Sequence, residues 1–182
     1  MTKHTLAFID IESTGLDFKK HEVIEIGFVL VNQDHSNPKE PKFEILEEIS
    51  LKIKPERIED ADPVALRVNK YDQADWVFAY TLKEAMQIFA KKTEGSIMVA
   101  HNLPFDFGFI QEAFAKTSLE NKMHFHKLDT ISVAFAKLHK TDVARFSLRT
   151  LCEHFGIVNE NSHTALADAR ATFELYKKLM SL

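Results

Sequence analysis

The stretch FIDIESTGL, Phe8 to Leu16, constrains the fold most. Residues Leu6 to Ile9 are apolar without a break. Asp10 and Glu12 follow with one residue between them, and Ser13-Thr14-Gly15 then interrupts the run. A short apolar run rich in β-branched and aromatic residues, bounded by turn formers, reads as a buried strand. Within a strand, residues i and i+2 share a face with Cα atoms ~6.6 Å apart. Both carboxylates therefore aim the same way from the strand's end, where ligands of α/β sheets bind. Any fold of this chain must accommodate a pair of acids at the mouth of its most buried strand.

The rest of the chain predicts one domain, residues 1–182, with helices packed on a mixed sheet. Its 182 residues are 45% hydrophobic, enough for one sizeable core. A second apolar run, Val23–Val31, follows a tight polar connection and predicts a hairpin. Asn32–Lys42 reads as a loop, Phe43–Ile53 as a third strand and Pro63–Tyr71 as a short helix. Thereafter helix and strand alternate. Thr81 with Glu84 forms a capping box opening a helix to about Lys92. Ser96–Ala100 is a strand, Leu103–Lys116 a helix, Phe125–Leu128 a strand and Thr130–Lys137 a helix. Ser147–Phe155 is a helix stopped by Gly156, and the last helix runs from about Thr164 to the C-terminus. A meander followed by helix–strand units predicts α/β architecture.

Charge and cysteine usage exclude several classes. The net charge of −4 provides no global attraction for nucleic acid. A single cysteine, Cys152, rules out a disulfide framework and fits a reducing, cytoplasmic setting. No apolar run approaches the about 20 residues of a membrane span, and the first strand begins too early for a signal peptide.

Two further acids occupy apolar helix faces. At 100° per residue, Asp168 falls among Ala165, Thr172, Leu175 and Leu179, while Arg170, Glu174, Lys177 and Lys178 face elsewhere. Asp106 likewise lines up with Leu103, Ile110 and Ala113. A carboxylate removed from water costs several kcal/mol unless it is paired or metal-bound. Four inward acids with few cations to match predict hard divalent ions held by oxygen ligands, Mg²⁺ or Mn²⁺. Two ions ~4 Å apart would balance the four charges. His163 lies five residues before Asp168, so the two can meet only if His163 precedes the helix on a loop. A histidine titrates near neutrality, which suits a general base for an adjacent water.

FIDIESTGL, VAHNLPFDFGFI and HTALADA resemble the three ordered motifs of the DEDDh 3′–5′ exonucleases, and VIEIGFVLV and LDTISVA extend the similarity over nearly the whole chain. The family includes the proofreading subunit of bacterial replicative polymerase, ribonuclease T and oligoribonuclease. The resemblance implies a ribonuclease H-like fold, a five-stranded mixed sheet flanked by helices. It implies metal ligation by Asp10, Glu12, Asp106 and Asp168, with His163 as general base and two ions per site. It also implies backbone contacts from Thr14 and Gly15 to the 3′-hydroxyl, Leu16 wedged against the terminal bases, and help from His101, Asn102 and Phe105. The implied reaction releases nucleoside 5′-monophosphates from single-stranded or frayed 3′ ends of DNA or RNA, in proofreading, repair or RNA end-trimming. A catalytically silent nucleic-acid-binding or assembly module of the same fold is the alternative.

Other features carry smaller expectations. Asp129, between a strand and a helix, is expected as an N-cap with a supporting role beside the metal ligands open to it. Cys152 reads as packing rather than nucleophile. Lys137, His139, Lys140, Arg145 and Arg149 cluster around the loop before Ser147, either to track phosphates leading to the site or as a solvated loop. Many relatives carry a His-Gly pair where this chain reads LRVNKYD; Asn69 can adopt the left-handed conformation in place of that Gly. The sequence stops at Leu182, directly after its last helix, without the tail by which some relatives join a polymerase. A free-standing enzyme is therefore expected, with polymerase association and a homodimer left open.

Overall fold

A computed structural model describes residues 5–34, 36, 41–159 and 162–182. Its centre is a five-stranded sheet in the order β3-β2-β1-β4-β5. Strands β1 (Thr5–Ser13), β2 (Val23–Asp34) and β3 (Lys42–Lys52) form an antiparallel meander, while β4 (Ile97–Ala100) and β5 (Lys127–Asp129) run parallel to β1. The helices are α1 (Pro63–Val68), α2 (Leu82–Lys92), α3 (Leu103–Thr117), α4 (Thr130–Leu138), α5 (Leu148–Phe155) and α6 (Ala165–Met180). This is the expected mixed sheet flanked by helices.

The period of two along β1 sorts the core into two layers. Leu6 and Phe8 pack with Val29, Val31 and Val99 against Ala169, Phe173 and Tyr176 of α6. Ala7, Ile9 and Ile11 pack with Ile26, Phe28 and Leu30 against Met86 and Phe89 of α2 and Ile110 of α3. Fully burying side chains of this size is worth roughly 1.5–3 kcal/mol each, so a one-residue slip of β1 would forfeit both faces at once. A third cluster joins Ala134 of α4, Leu138, Leu151 of α5, and Leu175 and Leu179 of α6.

Several boundaries depart from the expectations for physical reasons. β1 continues through Asp10 and Glu12 to Ser13 because β2 keeps pairing with it; a register shift at Glu12/Ser13 ends the ladder. β2 likewise reaches Asp34, shortening the expected Asn32–Lys42 loop, of which residues 35 and 37–40 lie outside the described set. β5 lies two residues later than expected, since its pairing with β4 runs from Met98↔Lys127 to Ala100↔Asp129. Short 3-10 turns at Ile58–Asp60 and Gln73–Trp76 have no counterpart in the expectations. Asn69 is right-handed (φ −76°, ψ −2°), and Lys70 takes the left-handed conformation instead (φ 53°). The Asn69 amide is occupied in donating to the Ser13 carbonyl at 2.7 Å, which fixes the end of β1 to the end of α1.

Candidate active site

Parity along β1 delivers the acids. Asp10 and Glu12 continue the Leu6–Phe8 series and so emerge half-buried on the α6 side of the sheet. Asp168 sits in the first turn of α6, between buried Ala165 and Thr172. Gly27, the cross-strand partner of Asp10, lets this helix come close. A methyl on Gly27 would overlap the main chain of Ala165 and Leu166. Arg170 then pins α6 to β3 through a two-pronged contact with Glu48, at 3.0 and 2.8 Å. The result is a carboxylate triad: one oxygen each from Asp10, Glu12 and Asp168 lie within 4.8 Å of one another. Gly27→Ala is expected to cost about 3 kcal/mol and lower the melting temperature by roughly 6–12 °C. Thermal melts check this, and divalent-cation binding should fall with it because Asp168 is carried away.

Asp106 approaches from the other layer, close enough to raise Asp10 but outside the group of oxygens that lie within 4.8 Å of one another. It lies in the first turn of α3, is only 2% exposed, and its Oδ1 accepts the Ile11 N–H at 3.1 Å. That N–H is available because β4 pairs with β1 only as far as Phe8.

The electrostatics record the crowding. Asp10 is held well above the carboxylate range, first by burial, then by Asp106, Asp168, Glu12 and Glu25. Asp106 is also raised, chiefly by burial, although the hydrogen bonds from the main chain of Asp106 and Ile11 work against the shift. Burial, then Asp168 and Glu25, push Glu12 up to about 8. Groups this strained by mutual repulsion fit a divalent cation, which would replace the missing positive charge with oxygen-ligand chemistry.

His163 precedes α6, as its spacing from Asp168 required, and is exposed with φ 70°. Its main-chain N–H donates to Asp168 Oδ2 at 3.1 Å, and the Asn159 side-chain amide donates to Oδ1. Both Asp168 oxygens are thereby oriented. Residues 160 and 161 of this loop lie outside the described set.

The expected substrate-side residues fall into two groups. Leu16 is 79% exposed at the tip of the β1–β2 connection. Thr14 beneath it is locked: its N–H donates to Glu22 O, its Oγ1 accepts the Glu22 N–H, and its carbonyl accepts the Asp62 N–H. The ring of His21 packs directly under Gly15, where a side chain would collide with it. Phe105 leans on Phe109 with ring centroids 5.1 Å apart. Asn102 starts α3 in the left-handed conformation, and its N–H donates to Asp129 Oδ1. Asp129 also caps α4 by accepting the Ile131 N–H at 2.9 Å, so the cap and the brace on Asn102 coexist.

His101 is engaged at both ring nitrogens. Burial lowers its pKa. Nε2–H donates to the Phe146 carbonyl at 2.8 Å, and Nδ1 shares a hydrogen bond with the Thr130 hydroxyl at 2.9 Å. Its ring ties the segment before α5 to the end of β4. Cys152 is buried, and its thiol is pushed up to about 11 by burial and then by Asp168, which leaves it protonated at neutral pH, as expected of packing.

Among known proteins, the model of the RNase_T family, described as exonuclease, matches residues 7–176. The chain belongs to the exonuclease family. It is 30% identical to the DNA polymerase III epsilon subunit of Haemophilus influenzae over 92% of this chain and 64% of that protein. It is 29% identical to ribonuclease T of Shewanella baltica, over 92% of this chain and 78% of that one. With the PolC-type DNA polymerase III of Caldanaerobacter subterraneus it shares 29% identity over 94% of its own length but only 11% of the polymerase. In fold, this exonuclease-family chain resembles E. coli exonuclease I in complex with a dT13 oligonucleotide. The TM-score is 0.78 at 17% identity, covering 96% of this chain and 40% of that one. Among the described residues no helix is long and apolar enough to cross a membrane.

Two residues beside these acids that the sequence reading did not single out are Asn159 and Glu25. Glu25 is buried opposite Glu12 and contributes to the shifts of both β1 acids.

Proposed function

We propose that residues 1–182 form one metal-dependent 3′–5′ exonuclease domain that hydrolyses the terminal phosphodiester of single-stranded or frayed DNA or RNA. The products are nucleoside 5′-monophosphates. The observation that carries this reading is the convergence of Asp10, Glu12 and Asp168 oxygens within 4.8 Å in a chain of the exonuclease family. Asp10, Glu12, Asp106 and Asp168 would hold two Mg²⁺ or Mn²⁺ ions. Bound there, the ions would polarise the phosphodiester and stabilise charge on the departing 3′-oxygen.

The chain's own residues divide the remaining work. His163 takes the proton of the attacking water, from a loop held to Asp168 by its own main chain. Thr14 and Gly15 meet the 3′-hydroxyl; the Thr14 main chain is already paired and the Gly15 carbonyl accepts Ser13 Oγ at 2.7 Å, so the Gly15 N–H and the Thr14 hydroxyl make these contacts, and Leu16 packs on the terminal base. Asn102 and Phe105 border the terminal nucleotide. His101 acts by holding the Phe146 segment, which leads from the Lys137–Arg145 basic stretch into α5. That stretch and Arg149 supply a local, salt-sensitive grip on phosphates. The polymerase-type relatives support a cytoplasmic replication or repair setting, and the oligomeric state stays open.

End-labelled single strands of deoxyribose and ribose, incubated with Mg²⁺ and separately with a chelator, test the reading. Stepwise shortening from the 3′ end that needs Mg²⁺ is expected, and the faster of the two polymers is the preferred substrate class. Absence of release from either would leave a silent binding module. His163→Gln is expected to lower kcat by about 10²–10⁴-fold with little change in KM or melting temperature, because the residue is exposed. Steady-state kinetics beside a thermal melt check both parts.

A further inference from the structure

Glu25 is a buried acid without a cation. It is 6% exposed, in the middle of the sheet, directly across from Glu12 in the β1–β2 register. Cross-strand partners share a face at Cβ separations of ~4.5–5.5 Å, so Glu25 stands in the same row as the triad. Its neighbour on the other side, Lys52 of β3, is in register to neutralise it. The Lys52 ammonium turns away instead and lies 4.2 Å from the centroid of the Trp76 ring. Among the described residues no Lys, Arg or His side chain forms an ion pair with Glu25. Its recorded partner is a hydroxyl: Ser50 Oγ donates to Oε1 at 2.7 Å. One neutral donor offsets little of the several kcal/mol needed to bury a carboxylate. For the fold alone, a glutamine would serve as well.

We propose that Glu25 is a positioning residue of the metal centre, a fifth carboxylate that strengthens divalent-cation binding by the Asp10–Glu12–Asp168 triad from behind Glu12. Ser50 fixes one of its oxygens, so its charge sits at a set place in a low-dielectric interior, where Coulomb interactions are strong. The repulsion already present there supports the assignment, since Glu25 contributes to raising both Asp10 and Glu12. Lys52, held on Trp76, forms no ion pair with Glu25. The inference rests on the metal-centre reading above.

The test is Mn²⁺ binding to the full chain, followed by the loss of the free-ion spin-resonance signal. Wild type is compared with Glu25→Gln, Glu25→Asp and, as a control, Glu47→Gln, which alters an exposed pair with Lys92. Glu25→Gln should weaken Mn²⁺ binding by about tenfold or more and raise the melting temperature of the metal-free protein. Glu25→Asp, which keeps the charge, should recover most of the affinity, and the control should match wild type. A Glu25→Gln affinity within twofold of wild type, in a chain that does bind Mn²⁺, overturns the proposal while leaving the metal centre standing. Wild type that binds no Mn²⁺ overturns the underlying reading instead. Should the amide variant not fold, Glu25→Ser removes the same charge and is judged by the same criterion.

Discussion

Asp10→Asn is expected to lower nucleotide release by at least about 10³-fold and, at the same time, to make the metal-free protein more stable. The two effects share one cause. Asp10 is the acid most crowded by its neighbours, its carboxyl raised by burial and then by four other carboxylates. Asparagine has the same shape and no charge, so it removes both a proposed metal ligand and a source of repulsion. A gain of about 2 kcal/mol is expected without metal, which for a chain of this size corresponds to roughly 4–8 °C in melting temperature. Release of 5′-monophosphates from a labelled oligomer and calorimetry in chelator read the two effects separately. A variant that still cuts within tenfold of wild type, or melts lower, contradicts the reading of Asp10 as a strained ligand.

The metal-free protein should also lose stability as pH rises, a slope that divalent ions should flatten. Glu12 has its folded pKa raised from an ordinary 4.5 to about 8. The folded state therefore holds its proton more tightly than the unfolded chain. Such a group contributes stability that is fully present below about pH 4.5 and is lost as pH climbs through about 8. At about 1.4 kcal/mol per pKa unit, the change from Glu12 alone is on the order of 5 kcal/mol, or about 10–20 °C. Asp10 and Asp106 shift in the same direction and add to it. A cation in the triad takes over the role of the proton, and at a hundred times its Kd it returns about 2.7 kcal/mol. Melting curves between pH 5 and 9, with chelator and with Mg²⁺, check the slope. A metal-free melting temperature that is flat or rises over that range is the contrary result.

Much of the site was legible in the sequence because periodicity alone aims side chains. The spacing of Asp10 and Glu12 placed both on one strand face, and helical phase put Asp106 and Asp168 on buried stripes, where the structure has them. What periodicity cannot supply is pairing. Glu25 reads as a lone polar residue in VIEIG until the β1–β2 register sets it against Glu12. The same holds for Asn159, which finds Asp168 only through a loop closure, and for His101, whose ring nitrogens meet Thr130 and Phe146, well apart in sequence. Lys70 rather than Asn69 takes the left-handed conformation, while the Asn69 amide donates to the Ser13 carbonyl, a contact that only the fold reveals. The three-residue β5 was misplaced for a related reason: a strand so short is defined by its neighbour, not by its own residues.

Asp10 and Glu12 belong to the layer closed by α6, whereas Asp106 arrives on α3 from the opposite side of the sheet. Neither half is sufficient by itself. A chain emerging from the ribosome, or one partly unravelled by heat, cannot bring the four acids together. On the proposed metal-centre reading, destructive chemistry on nucleic acids is withheld until both layers have folded, a safeguard that needs no inhibitor.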